Sequence, residues 1–175
     1  MKLYKIPFFL VLATTFVFCK AETKKPEVEA KIETIDAKVI AENAKREEVL
    51  TFAKKYMGTK YCYAGGSPEK GFDCSGFVNF VYKHFDIELP RSSSGFAKIG
   101  KSLKPEDFKV GDVLVFYGYR DSKSVGHVGI VSEANGMKSK FIHASSGKEM
   151  AVTISELGSD MYTKRFYRCI NPFEL

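Results

Sequence analysis

The segment Gly71-Phe72-Asp73-Cys74-Ser75-Gly76-Phe77 places a thiol behind an acid and ahead of two small residues. A cysteine so placed can be a nucleophile at a helix start, half of a disulfide, or a metal ligand. Phe77, Val78, Val81 and Phe85 mark the buried face of a helix, and Asp73 is its natural N-cap. Cys74 then lies in the first turn, where the helix dipole favours a thiolate and an unpartnered amide can serve an oxyanion. Ser75 and Gly76 leave that turn open to an acyl group.

A nucleophilic thiol needs a base, and the chain has three histidines. His84 falls ten residues beyond Cys74 and is expected on the helix surface. His127, in "GHVGIVSE", and His143, in "KFIHASS", lie on predicted strands. A two-residue Asn135-Gly136 turn pairs His127 with Ala144 and sends the two rings to opposite faces. A three-residue loop with Gly136 left-handed pairs His127 directly with His143, with Cβ atoms about 5 Å apart. The catalytic reading requires the second register, or a bulge that restores it. In that arrangement Cys74 attacks a carbonyl, His127 exchanges the proton, and His143 orients His127. A metal site of the same three residues lacks any clustered ligand motif, so no metal and no cofactor are expected.

The elements that must position these residues are legible in outline. Val49, Phe52, Ala53, Tyr56 and Met57 recur at helical spacing, and Gly58 can end that helix. Thr59 to Phe72 is read as a glycine-rich loop. After Pro105 the texture turns to short β-rich runs: "GDVLVFYG", "GHVGIVSE", "KFIHASS", "AVTI" and "RFYRCI". Helices first and strands later predict an α+β domain with an antiparallel sheet packed on helices.

Residues 1–21 read as a signal peptide, with Lys2 and Lys5 before an apolar run too short to span a bilayer. Cleavage after Ala21 is expected; the alternative is a lipoprotein anchored at Cys19. Residues 22–43 are rich in Glu, Lys and Ala and read as a charged helix or tether, with Val28, Ile32, Ile35 and Val39 as a thin stripe. The domain is expected over 44–175. Without residues 1–21, 24 bases face 21 acids, a charge of +3. That mild balance, with no arginine-rich stretch, argues against nucleic acid. Three cysteines then remain, an odd number for an exported protein. Cys62 and Cys169 form either a disulfide or two buried thiols.

The blocks "YCYAGGSPEKGFDCSGFV", "LPRSS", "GDVLVFYG", "HVGIV" and "FIHASS" resemble, in order, the signatures of the NlpC-type cell-wall peptidases. The resemblance spans roughly Val49 to Ile170. It implies a papain-like α+β fold, with N-terminal helices on a five- to six-stranded antiparallel sheet and the nucleophile starting the central helix. It also implies an exported, monomeric cysteine peptidase acting on peptidoglycan stem peptides, at the bond between D-glutamate and a diamino acid or at a cross-link. Cys74, His127 and His143 match the triad. Tyr61 matches a cleft tyrosine that assists the oxyanion or substrate, with Cys62 and Tyr63 as alternatives. Asp73 and Ser75 flank the thiol; Asp73 is a cap that could also meet a substrate ammonium. Arg91 either binds a substrate carboxylate or anchors its loop. The competing functions are an amidase or acyltransferase with the same triad, and a non-catalytic peptidoglycan-binding module.

Overall fold

The computed structural model describes residues 25–175. The leader and Cys19 therefore lie outside the described residues. The chain divides into two compact units, residues 1–37 and 38–175.

A single helix, α1 (Lys25–Lys54), joins the charged segment, read as a helix or tether, to the amphipathic helix expected as a separate element. Ile35 and Val39 of the thin stripe are exposed. In the second unit Val49, Leu50 and Ala53 are buried, at the spacing the sequence shows. Met57 was expected on that core face, but the helix ends at Lys54 and Met57 is 44% exposed. Gly58 takes φ +80° just beyond, a turn that a side chain would strain.

The next segment is not a free loop. Gly58 N–H donates to Val152 O, Val152 N–H to Thr59 O, and Tyr61 N–H to Met150 O. The chain thus runs along the sheet edge and covers it. A short hairpin follows, β1 (Gly66–Ser67) with β2 (Gly71–Phe72), and leads into α2 (Cys74–Lys83). Phe77, Val78, Val81 and Tyr82 form the buried face of α2. His84 caps its C-terminus, exposed and stacked on Phe52 at 3.9 Å between ring centres.

The sheet is antiparallel, with β3 (Val113–Tyr117), β4 (Val125–Glu133), β5 (Lys140–Ala144), β6 (Val152–Glu156) and β7 (Phe166–Ile170) in the order β6-β5-β4-β3-β7. All five β-rich runs become strands, as expected for α+β. A short helix, α3 (Asp160–Arg165), precedes β7 and was not foreseen. One core cluster joins α1 and α2 to Val113, Val115, Val128, Ile130 and Ile142. A second holds Leu114, Phe116, Val131, Phe141, Leu157 and Tyr162. The central strands β3, β4 and β5 are therefore packed on both faces and read as nearly unbroken apolar runs, while β6 and β7 keep partly exposed residues.

The start of β3 is tied to α1 by a buried ion pair. Arg46 Nη1 donates to Asp112 Oδ1 at 2.8 Å and to Val110 O at 2.9 Å, and Nε reaches Glu42. Asp112 also accepts from the Lys109 amide, closing a turn. Tyr82 of α2 donates to Gly111 O beside it. Removing one member of a buried pair leaves the other uncompensated, which costs far more than a surface pair is worth. Asp112→Ala is expected to lower stability by about 3 kcal/mol, read as a lower urea midpoint at unchanged slope.

Candidate active site

Asp73 is the N-cap of α2, as expected. Its Oδ1 accepts from Gly76 N–H at 2.6 Å and from the Ser75 hydroxyl at 3.1 Å. The same carboxylate takes Arg91 in a two-pronged bond, Nη1 to Oδ1 at 2.9 Å and Nη2 to Oδ2 at 3.0 Å. Arg91 Nη2 also donates to Gly65 O at 2.9 Å. Arg91 is therefore a loop anchor, and both oxygens of Asp73 are engaged within the protein. Gly76 has to be glycine: a Cβ there would sit 2.1 Å from Gly65 O. Ser75 is buried, its hydroxyl turned into this cluster.

Cys74 follows directly, 92% buried. Phe77 N–H bonds Asp73 O and Gly76 N–H bonds its carboxylate. Among the described residues the amides of Cys74 and Ser75 have no backbone acceptor, and both favour the thiolate, as does the Val128 amide. Burial outweighs them and pushes the Cys74 thiol up, with Asp73 adding to the shift. Burial thus favours the protonated thiol and opposes the helix-dipole expectation of a resting thiolate. Its Sγ lies 4.0 Å from Gly126 O of β4, so the sulfur rests against the backbone on either side of His127.

The two histidines meet, though not in the register expected. Glu133 pairs with Lys140, but a bulge at Ser132 shifts the ladder so that Val131 pairs with Phe141 and Ile130 with Ile142. Continuing that register puts Gly129, not His127, across from His143. His127 is the diagonal neighbour on the same face, because the bulge restores the parity that keeps both rings together. A Cβ on Gly129 would lie 3.0 Å from His143 Cβ and 2.5 Å from the Phe141 ring. The glycine therefore opens the space the imidazole fills. A second irregularity between Phe116 and Tyr117 falls opposite Gly126, next to the thiol and His127.

His127 Nε2 and His143 Nδ1 are 2.9 Å apart, and His143 Nε2 is 2.9 Å from Ser155 Oγ. Tyr162 OH approaches the same nitrogen at 3.4 Å. Two neutral assignments satisfy this chain of bonds, and only one of them leaves a base on the outer nitrogen of His127. In that one His127 Nε2–H donates to His143 Nδ1, His143 Nε2–H donates to Ser155, and His127 Nδ1 is left as the free base. Among the described residues no hydrogen bond yet joins Sγ to that nitrogen, a pair that closes only with substrate in many such sites. Phe116, Phe141 and Tyr162 pack around the two rings. Burial in this box, then the charge of His143, holds His127 well below the ordinary imidazole range. Burial lowers His143 to about 4, against a partial opposing pull from Glu149.

Of the tyrosines in the loop, Tyr61 is half-buried, and its phenol is pushed up by burial and then by the nearby Cys74 and Asp73. Tyr63 is 87% exposed, beside Ala64 at φ +58°. The structure thus favours Tyr61 over Tyr63 at the thiol. Cys62 and Cys169 are both free thiols, Cys62 part-buried and Cys169 buried, so the disulfide alternative is set aside. Ser155 and Tyr162 were missed from sequence. "AVTISE" alternates as a strand should, but nothing in it marks Ser155 as a partner of His143. Tyr162 arrives on a helix too short to show periodicity.

With this geometry established, comparison with known proteins is decisive for kinship. The family model described as NlpC/P60 family matches residues 58–171. The chain belongs to that family. It is 36% identical over 118 residues to a gamma-DL-glutamyl hydrolase of Bacillus subtilis, covering 67% of this chain and 27% of that one. It is 36% identical over 116 residues to a probable endopeptidase NlpC of Escherichia coli, covering 66% and 70%. An NlpC/P60 family protein from Bacillus cereus superposes with a TM-score of 0.63 at 28% identity, over 72% of this chain and 39% of that one. The chain spans only about a quarter of the first of these relatives. These likenesses agree with the α+β architecture expected from the resemblance.

Two measurements follow from the electrostatics. Because the folded His143 binds its proton more weakly than the unfolded chain does, stability is full above pH 6.5 and is lost as pH falls toward 4. The His143 share of that loss is about 3 kcal/mol, and denaturant titrations at pH 7 and pH 4 should show it shrink in His143→Gln. Alkylation of Cys74 by iodoacetamide should climb through pH 8.5 and beyond; a rate already level at pH 6 would mean a resting thiolate and refute the protonated assignment.

Proposed function

We propose that the chain is a cysteine peptidase that hydrolyses amide bonds of peptidoglycan stem peptides through a thioester intermediate. The observation that carries this reading is the bonded pair His127–His143, held on one face by the bulge in β4, beside a thiol at a helix start with two unpartnered amides. Cys74 Sγ attacks the amide carbonyl while His127 Nδ1 removes its proton. His143 accepts from His127 Nε2–H and steadies the imidazolium. In this reading the amides of Cys74 and Ser75, with the Tyr61 hydroxyl, receive the oxyanion. His127 then returns the proton to the leaving amine, and water repeats the sequence on the thioester.

Because both groups are neutral at rest, the ion pair forms only as the acyl bond forms. The low basicity of His127 makes its imidazolium a strong acid toward the departing amine. Relatives named as a gamma-DL-glutamyl hydrolase and a probable endopeptidase support amide hydrolysis, and with it the bond after D-glutamate. Residues 1–21, as an export signal, would deliver the enzyme to the wall.

Mass spectrometry of purified peptidoglycan fragments digested with the mature protein and with Cys74→Ala is the test. New peptides are expected from the parent alone, cut after D-glutamate, with activity down at least about 1,000-fold in the variant. Equal digestion by both would overturn the nucleophile. Cleavage at the sugar–peptide amide would instead establish the amidase, and binding without cleavage the binding module.

A further inference from the structure

Arg165 is a cation that the proposed mechanism leaves unused. It closes α3, and its Nε donates to Tyr117 O at 2.9 Å. Its guanidinium carbon lies 5.7 Å from the centre of the Tyr119 ring and 5.9 Å from that of Tyr162. Among the described residues no carboxylate lies within ion-pair distance of it, and its two terminal nitrogens have no protein acceptor. Three other arginines differ. Arg46 and Arg91 hold carboxylates, and Arg168 spends its terminal nitrogens on Ala97 O and Gly100 O.

The backbone that Arg165 grips leads directly to the thiol. Tyr117 is followed by Gly118, and a Cβ on Gly126 would lie 2.6 Å from Gly118 Cα. Two glycines therefore let the end of β3 close on the start of β4, and Gly126 O is the atom Cys74 Sγ rests against. Arg165 reaches the reacting groups electrostatically as well. It depresses both His127 and His143, and Cys74 and Tyr162 are among the groups that favour its own charge. Tyr162, which it overlies, is the residue that touches His143.

A fixed fork with free terminal nitrogens, flanked by two aromatic rings, suits a planar anion. We propose that Arg165 is a specificity-determining residue that binds a free carboxylate of the stem peptide within one residue of the scissile amide. Tyr119, 78% exposed, forms the outer wall of that subsite. A carboxamide at the same position forfeits the charge-assisted pair. This inference rests on the peptidase reading for its substrate, but its binding arm does not require turnover.

The experiment compares three synthetic stem peptides: one with free carboxylates, one with the D-glutamate carboxyl amidated, and one with the diamino-acid carboxyl amidated. kcat and KM are measured for the parent, Arg165→Lys and Arg165→Met, and Kd by calorimetry for Cys74→Ala with and without Arg165→Met. The parent is expected to favour the free carboxylate by about 10- to 100-fold, mainly in KM and Kd. Arg165→Met should bring that ratio to within about twofold, with Arg165→Lys between. The amidated peptide that loses the Arg165 dependence identifies which carboxylate is held. If Arg165→Met weakens all three peptides equally, or changes none, the residue is only structural and the proposal fails. If the parent cleaves nothing, the peptidase reading falls, and the Kd ratio alone decides Arg165; absence of binding to every peptide overturns it too.

Discussion

The Asp73 carboxylate is the constraint from which the site is built. One group caps α2 through Gly76 N–H, holds the Ser75 hydroxyl, and receives both prongs of Arg91. The guanidinium in turn grips Gly65 O, so the hairpin ahead of α2 and the loop behind it close on one point. Close approach is possible because Gly76 and Gly65 lack side chains; added Cβ atoms would stand 2.1 and 2.3 Å from carbonyl oxygens. The first turn of α2 is then fixed against β4, and the thiol has little freedom left. An N-cap alone is worth about 1 kcal/mol; here it also sets where the sulfur sits.

Dryness governs the chemistry. Both faces of the central strands are packed, so the histidine pair lies among phenylalanines and tyrosine rather than in water. Burial raises the thiol and lowers both imidazoles, and these shifts all disfavour separated charge at rest. The helix dipole and three nearby amides act the other way but do not prevail. The arrangement keeps a hydrolase inert toward stray electrophiles until an acyl group supplies the carbonyl oxygen as a place for charge. It also makes the fold sensitive to acid, because protonating buried imidazoles must pay for their desolvation.

Much of this was legible in the sequence because the relevant signals are local. Asp73 as cap, Cys74 in the first turn and the five strands follow from spacing and residue type. Arg91 could be read as an anchor or a substrate clamp, but Asp73 as its two-pronged partner was not legible, since the two lie 18 residues apart. The register of β4 and β5 was not legible. Asn135-Gly136 suggests a two- or three-residue turn, whereas the loop occupies residues 134–139, with Asn135 N–H bonded to Ser139 Oγ and a bulge at Ser132. Parity survived although the pairing did not, which is why the histidines meet diagonally. Ser155, Tyr162 and the Arg46–Asp112 pair were invisible because each depends on contacts between distant segments. The thin stripe of residues 28–39 reads as part of a charged helix or tether, and its described members Ile35 and Val39 are indeed exposed.

The glycines carry the final step, since three of them act at one place. Gly129 makes room for His143, Gly126 lets the thiol and Gly118 approach β4, and Gly76 lets α2 reach the hairpin. In helix or strand interiors glycine costs about 0.5–1 kcal/mol relative to alanine, so one in α2 and two in β4 weaken the scaffold where the chemistry sits. That loss is offset elsewhere, by the buried aromatic clusters and by the Arg46–Asp112 tie at the far end of β3. Stability and catalytic geometry are thus drawn from different parts of one sheet. Its two ends differ accordingly: one is clamped by a buried ion pair, and the other holds the buried thiol, the imidazoles and, beside them, an arginine without a protein carboxylate among the described residues.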